Sequence, residues 1–456
     1  MSSLLLTRHE AQSSSIRRRQ LLGGGALGLS AAALAACSGL STSASGSTKS
    51  TGSKDYSGVK PAKKIEFWSN HPAANQAYEQ KVVDKWNSQQ SDTTVKLVTA
   101  GSDYASVAQK FQTAQVGGGL PGVVIVNTWF KYYLNGSIIP IDALVKSENI
   151  DKDDYNDTLW DDYSYDNQQW GVPYARSTPL FYYNKSHWKK AGLPDRAPKT
   201  WMEFEEWTKK LKSADLGTKK QFVYAGDYIA WTFENKVWGW GGAYSKKFDL
   251  TLDTDGAVKA TDWARKGVFE GKWANVTASS SSTDHLSAEA CSATVSSTGG
   301  LIGVVEAAKG KFDVGVGFLP GGPEATDNVC PTGGAGLAIP KDISPEEQVA
   351  AARFIKFLTS PENTVGLAKA TGYMPLRKSA NTKKLIASNP LLDTAIKQLP
   401  HTRSQDWALA FIPSGLKVLN DGLIKVLSQN TDPKETLADA KDQLQHAFKK
   451  DVKPNL

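Results

Sequence analysis

The chain has 456 residues, of which 40% are hydrophobic and 22% are charged, as in ordinary globular proteins. Of its formal net charge of +7, +3 belongs to the residues before Cys37, and the remaining +4 is spread along the chain without a basic block, so nucleic acid is not an expected partner. A chain of this length exceeds what one hydrophobic core usually serves, which predicts two lobes. Tryptophan is unusually frequent, with 14 residues against only 3 Met and 3 Cys. Flat aromatic faces stack on sugar rings or quaternary ammonium groups, so some of these residues are candidates for a ligand site while many belong to the core.

The first 36 residues have the order of segments that is typical of an export signal. Three consecutive arginines, 17–19, precede an apolar run of Gly, Ala and Leu that ends in small residues before Cys37. This run is too short and too rich in Gly and Ala to form a stable membrane span. Residues 34–37 (LAAC) resemble a bacterial lipobox, in which the cysteine is lipidated and begins the mature chain. Residues 18–22 (RRQLL) are similar to a twin-arginine signal, although a Sec-type route stays open.

These features predict how the N-terminal part of the chain is organised. Residues 1–36 are expected to be the export signal, and Cys37 is the expected lipidation site. Residues 37–61 are rich in Ser, Gly and Thr and predict a flexible tether. The expected location is extracytoplasmic, with contact to the cell membrane only through the lipid anchor.

Two further cysteines, Cys291 and Cys330, remain in the mature chain. An even pair outside the cytoplasm predicts a disulfide, and two buried free thiols are the alternative. A disulfide fits export of a folded protein only if oxidation follows translocation.

Alternating strand and helix patterns follow the tether. Residues 64–68 alternate like a strand, and the apolar residues between 78 and 86 recur at helical spacing. Residues 95–98 and 123–126 predict two more strands, which together indicate α/β layers. Thr200, Ser344 and Ser360 each have the features of a helix start, the last two followed directly by proline.

The sequence contains no nucleophile elbow, zinc-protease motif or phosphate-binding loop. Its histidines are scattered, and none has a partner at metal-ligand spacing. The carboxylates of residues 151–162 lack the glycine and closing glutamate of a calcium loop, which favours a solvated acidic helix start or turn. Neither a metal nor a cofactor is therefore expected, and the chain is not expected to be an enzyme.

Five segments occur in an order that resembles a known family. They are residues 177–185 (STPLFYYNK), 189–193 (KKAGL), 198–204 (PKTWMEF), 333–340 (GGAGLAIP) and 370–377 (ATGYMPLR). Together they closely resemble the family 1 extracellular solute-binding proteins of ABC importers, and the resemblance extends from residue 62 to the end of the chain. It implies an α/β fold of the two-lobe, periplasmic-binding-protein-like type II class with a hinged cleft. The implied lobes are 62–175 plus 335–375 and 176–334 plus 376–456.

The same resemblance implies the function. A monomeric protein of this family captures a small ligand between its lobes and delivers it to the permease subunits of an ABC importer. Two rival functions stay open: an extracytoplasmic glycan-processing enzyme, which needs two carboxylates in its pocket, and a ligand sensor for a membrane receptor.

Glycerol-3-phosphate-binding and glycerophosphodiester-binding members are the most similar within the family. Matching their pocket position by position implies eight ligand-binding residues: Tyr104, Asn127, Ser177, Tyr228, Trp231, Thr298, Gly333 and Tyr373. Two of these aromatic residues, Tyr228 and Trp231, are expected to stack on the carbon skeleton of the ligand. Hydroxyl and amide groups of the others are expected to donate hydrogen bonds, and Tyr104 and Tyr373 to close the rim.

Two departures from those relatives bear on the ligand. Near Asn127 this chain lacks the acidic residue of the relatives. Where they have an arginine that clamps phosphate, this chain has Trp407 or its neighbour, and Arg403 or Arg176 is the candidate substitute cation. A sugar or short oligosaccharide is therefore the preferred polyhydroxylated ligand, and a glycerol phosphate derivative is the alternative.

Overall fold

The computed structural model describes residues 54–71, 73–218, 220–226, 228–277 and 282–456. The predicted export signal, Cys37 and most of the predicted tether lie outside these residues. Among the described helices, none is both long and apolar enough to cross a bilayer.

The strands are β1 (Lys64–Ser69), β2 (Thr94–Thr99), β3 (Val123–Val126), β4 (Ser164–Tyr165), β5 (Gln168–Gln169), β6 (Val172–Ser177), β7 (Pro179–Asn184), β8 (Lys220–Tyr224), β9 (Ser245–Lys246), β10 (Asp249–Leu250), β11 (Ala274–Val276), β12 (Cys291–Ser297), β13 (Val314–Gly317), β14 (Cys330–Pro331), β15 (Gly333–Ala338) and β16 (Thr402–Arg403).

The α-helices are α1 (Ala73–Gln89), α2 (Tyr104–Gly117), α3 (Trp129–Leu134), α4 (Asp142–Ser147), α5 (Asp157–Asp161), α6 (Lys185–Lys190), α7 (Trp201–Ser213), α8 (Ile229–Gly239), α9 (Asp255–Phe269), α10 (Ser282–Ser287), α11 (Leu301–Ala308), α12 (Pro345–Leu358), α13 (Pro361–Thr371), α14 (Thr382–Ser388), α15 (Leu391–Gln398), α16 (Trp407–Ala410), α17 (Gly415–Gln429) and α18 (Pro433–Ala447).

Two five-stranded sheets define the first and second lobes. The first sheet has the order β2-β1-β3-β15-β6 and the second has the order β11-β8-β12-β7-β13. In the first, β1 pairs in parallel with both β2 and β3, while β15 runs antiparallel to β3 and β6. Every residue of β3 and β6 is buried, as expected for strands covered on both faces. The predicted strands and the α/β layering are thus confirmed.

The chain passes between the sheets at three places. Thr178 separates β6 from β7, Thr332 separates β14 from β15, and the segment after α13 leads from the first lobe into the apolar cluster beneath β7. The boundaries predicted at residues 175 and 335 fall inside β6 and β15, because these strands extend to Ser177 and begin at Gly333.

Glycine at the end of α13 permits the third passage. Gly372 adopts φ 103°, a conformation that strains other residues, and a Cβ there would lie 2.2 Å from the carbonyl oxygen of Thr298. The backbone of the first lobe therefore approaches the second lobe closely at this point.

The predicted helix starts are confirmed. The side chain of Thr200 accepts a hydrogen bond from the Glu203 amide at 3.1 Å. Ser344 forms a full capping box with Glu347, and Pro345 occupies the first helical position. Ser360 caps α13 in the same way as Thr200 caps α7.

The end of the predicted tether is part of the folded domain. Tyr56 is buried, and its hydroxyl donates to Gln348 Oε1 at 2.7 Å. The amide of Ala62 donates to the Glu346 carbonyl at 2.8 Å. The prediction of a flexible segment up to residue 61 is therefore wrong for residues 54–61, because a buried aromatic side chain holds them on the first lobe.

The predicted disulfide is also wrong, since Cys291 and Cys330 are both free and buried. Cys330 Sγ lies 3.8 Å from the carbonyl oxygen of Pro179, and Pro179 pairs with Ser297 across β7 and β12. Cys291 is at the other end of β12, six residues before Ser297, which is about 20 Å away along a strand. A disulfide needs Cα atoms within about 7 Å, so the alternative of two buried thiols is the correct one.

Candidate functional site

A cavity of about 750 Å³ lies beside the places where the chain passes from one lobe to the other, and residues of both lobes line it. Two other depressions, which are open and of similar volume, are each lined by one lobe only. Nine of the eleven predicted ligand-binding residues line the shared cavity: Tyr104, Asn127, Arg176, Ser177, Tyr228, Trp231, Gly333, Tyr373 and Trp407. The structure therefore brings these nine residues together at one cavity, and their role in ligand binding stays a prediction.

One aromatic wall of the cavity is formed at the start of α8. The indole Nε1 of Trp231 donates to the Thr332 carbonyl at 2.8 Å, which ties the ring to the passage between the lobes. The ring packs against Gly333, where a Cβ would come within 2.3 Å of it. Tyr228 meets the Trp231 ring edge-on with centroids 6.1 Å apart. This wall therefore presents two fixed aromatic faces to a ligand.

A second aromatic wall comes from the segment around α16. Trp407 and Phe411 stack at a centroid distance of 4.6 Å and an interplanar angle of 22°. Trp129 packs edge-on against Phe411 at 5.7 Å, and all three residues line the cavity. Sequence reasoning missed Phe411 and Trp129, although the i, i+4 spacing of Trp407 and Phe411 was a readable signal.

Acidic side chains outnumber basic ones among the described residues that line the cavity. Arg176 is only 4% exposed, forms an ion pair with Asp162, and donates to the Tyr163 hydroxyl at 3.0 Å. Its Nε has no acceptor within the described part of the chain. Asp161 and Asp284 also line the cavity, so three carboxylates face one guanidinium among its described residues. Burial, with the Asp157 and Asp162 carboxylates, raises the pKa of Asp161.

Two predicted site residues do not line the cavity. Thr298 is fully buried, and its backbone amide and hydroxyl both bond to the backbone of Thr178. The Arg403 guanidinium lies 3.6 Å above the Trp238 ring, outside the cavity, with Asp406 at 3.9 Å. Their chain neighbours Ser297 and Ser404 line the cavity instead.

A buried acid pair anchors the second aromatic wall. The Asp406 amide donates to Glu234 Oε1 at 2.8 Å, while Asp406 Oδ2 accepts from the Tyr244 amide at 2.6 Å. Glu234 Oε2 has no partner in the described part of the chain. Burial raises the pKa of the Glu234 carboxyl well above its usual range, and the Asp406 carboxylate adds to this effect. Burial also raises the pKa of Asp406.

We expect Glu234→Gln to be more stable than the wild type at pH 8 and similar to it at pH 4. A carboxyl with a raised folded-state pKa stabilises the fold fully below its unfolded pKa of about 4.3, and this contribution is lost as pH rises through the folded pKa. Each unit of difference between the two pKa values corresponds to about 1.4 kcal/mol. Urea unfolding as a function of pH measures the effect, with exposed Glu206→Gln as the control. A Glu234→Gln variant that loses stability equally at both pH values contradicts the prediction.

The fold and the cleft together define a two-lobe ligand-binding protein. Residues 81–394 match the model of the bacterial extracellular solute-binding protein family, and the chain belongs to that family. UgpB from Mycobacterium tuberculosis, solved in complex with glycerophosphocholine, is 38% identical with a TM-score of 0.81. The match covers 86% of this chain and all of that one. These findings confirm the predicted family, fold class and function as the substrate-binding protein of an ABC importer.

Two further relatives are less similar in sequence. The sn-glycerol-3-phosphate-binding periplasmic protein UgpB of Escherichia coli K12 is 29% identical over 304 residues, which span 62% of this chain and 68% of that protein. The GacH receptor of Streptomyces glaucescens, solved unliganded and with acarbose, has a TM-score of 0.75 at 20% identity. The match covers 86% of this chain and all of the GacH chain, and at this identity it supports the fold alone.

Proposed function

We propose that the protein captures a polyhydroxylated ligand of zero net charge, foremost a zwitterionic glycerophosphodiester such as glycerophosphocholine. The charge of the cavity carries this proposal. Three carboxylates against one guanidinium repel a phosphate monoester dianion but suit a ligand that has a cationic end. The 38% identical relative was solved with glycerophosphocholine, which supports the same ligand class.

Each half of such a ligand has partners in the cavity. The aromatic wall of Trp407 and Phe411 suits a quaternary ammonium group, which binds over aromatic faces. The unpartnered Nε–H of Arg176 and the hydroxyl of Ser177 supply donors for phosphate or glycerol oxygens. A neutral sugar or short oligosaccharide is the second candidate, because Trp231 and Tyr228 offer faces for stacking on sugar C–H groups.

The proposed function involves no covalent chemistry. A ligand that touches both lobes only when they close binds the closed form better and shifts the population toward it. Sequence reasoning counted the absence of pocket carboxylates against a glycan-processing enzyme, but Asp161 and Asp162 do line the cavity. Asp162 is held in its ion pair with Arg176, which removes one of the three cavity carboxylates from acid–base chemistry. Hydrolysis of a titrant, measured below, separates catalysis from binding.

Calorimetry and thermal unfolding of the purified mature protein test the ligand. Glycerophosphocholine, glycerol 3-phosphate and maltose are compared as separate titrants. A micromolar ligand at millimolar concentration stabilises the fold by about 4 kcal/mol, and we expect this of glycerophosphocholine. Tighter binding of glycerol 3-phosphate than of the other two, or hydrolysis of any titrant, overturns the proposal. Binding of maltose alone selects the second candidate.

We also propose that Cys37 carries a lipid that holds the protein at the cell membrane. Support comes from residues 34–37 and from the Ser- and Gly-rich segment that follows. The Cys37→Ser variant is expected to move from the membrane fraction to the soluble extracytoplasmic fraction, as measured by immunoblotting of fractions. An unchanged distribution contradicts the anchor.

A further inference from the structure

A buried polar cluster lies behind the cavity in the first lobe. His71 and Glu79 are 3% and 0% exposed, and His71 Nδ1 lies 2.7 Å from Glu79 Oε1. The Tyr174 hydroxyl donates to the same carboxylate oxygen at 3.1 Å. On the other side of the imidazole, Nε2 lies 3.4 Å from the hydroxyl of Tyr373. The cluster therefore connects a buried carboxylate to a residue that lines the cavity.

The carboxylate sets the direction of the hydrogen bonds. Glu79 Oε1 accepts from Tyr174, and in a neutral His71 the Nδ1–H donates to the same oxygen, which leaves Nε2 as an acceptor. The Tyr373 hydroxyl then donates to Nε2. This contact gives the hydroxyl a preferred direction.

Tyr373 is also held in place from the second lobe. Its ring lies 5.6 Å from the His71 ring, centroid to centroid. On the opposite side it packs against Gly299, where a Cβ would come within 2.6 Å of the ring. Since Gly299 belongs to the second lobe and His71 to the first, the ring touches both lobes at the cleft. The Tyr373 hydroxyl also has a side-chain hydrogen bond with Tyr104, so His71 and Tyr104 together determine its direction.

We infer that His71, oriented by Glu79, is a positioning residue that aligns the Tyr373 hydroxyl for the ligand. Neither His71 nor Glu79 lines the cavity, so both act on the ligand through Tyr373. The inference rests on the proposed function, because it requires a ligand in this cleft. The inferred role concerns only the hydroxyl of Tyr373. It therefore differs from a general contribution of the cluster to folding.

A double-mutant cycle with glycerophosphocholine tests this inference. We expect His71→Leu to raise the Kd about fivefold to tenfold, the range of one neutral hydrogen bond. His71→Gln keeps an acceptor and is expected to retain most of the affinity. In a Tyr373→Phe background, His71→Leu is expected to change the Kd less than about twofold. An equal loss of affinity in both backgrounds assigns the cluster a merely structural role and overturns the inference.

A second measurement needs no ligand. Nitrogen NMR of the ligand-free wild-type protein, with labelled histidine, is expected to show the Nδ1–H tautomer at His71, assigned by comparison with His71→Gln. If the wild-type protein binds none of the titrants, the proposed function fails and the inference fails with it, whereas the tautomer tests the inference separately in a protein that does bind a titrant. The Nε2–H tautomer then overturns it, because Tyr373 would no longer be the donor.

Discussion

Replacing Asp162 with alanine is expected to destabilise the protein by about 3 to 5 kcal/mol, the cost of leaving a buried charge without its partner. The Arg176 guanidinium is 4% exposed, and the Asp162 side chain is 10% exposed. Without the carboxylate, Arg176 keeps only the Tyr163 hydroxyl among its described partners. Urea unfolding at pH 7 measures the loss of stability. Calorimetry on the same variant is expected to show weakened ligand binding, because Arg176 lines the cavity.

The neighbouring residue provides a matched control. Asp161 also lines the cavity but is exposed and has no ion pair in the described part of the chain. We expect Asp161→Ala to change the free energy of unfolding by less than about 0.5 kcal/mol. Combining Asp162→Ala with Arg176→Met is expected to restore most of the lost stability, since it removes the orphaned charge. Equal destabilisation by the two alanine variants would show that the ion pair has no special importance.

This ion pair shows what sequence patterns leave hidden. Asp162 closes a run of carboxylates that, read alone, predicts a solvated acidic turn, and Arg176 lies 14 residues further along the chain. Only the path of the chain through β4 and β5 to β6 brings the two side chains together in a buried place. Local composition does not encode such a pairing. Sequence reasoning therefore identified Arg176, the only cation among the described residues that line the cavity, but not its partner Asp162.

Regular patterns were far easier to interpret. The alternation of residues 64–68 and the apolar run 123–126 predicted β1 and β3 to within one residue, because a buried strand repeats its contacts along its length. Thr298 follows β12 directly, and Arg403 lies in the two-residue strand β16. Neither position belongs to a repeating pattern from which the sequence predicts whether a side chain reaches the cavity. The disulfide prediction failed because an even count of cysteines says nothing about where they lie in the fold, and Cys291 is in β12 while Cys330 is in β14.

Gly333→Ala is expected to weaken ligand binding by about tenfold to a hundredfold, with little loss of secondary structure. The added Cβ would come within 2.3 Å of the Trp231 ring, whose Nε1–H bond to Thr332 prevents it from moving freely. Overpacking of this kind costs about 1 to 3 kcal/mol, and relief requires the ring to tilt out of the stacking position.

Gly300→Ala is the matched control, because Gly300 also lines the cavity, has φ −100°, and has no atom within 4 Å of its would-be Cβ. Calorimetry on both variants distinguishes the cases: unchanged affinity in Gly333→Ala would remove the Trp231 face from the ligand site. A loss confined to Gly333→Ala would place the ligand against the ring, since the two substitutions add the same methyl group to the same cavity.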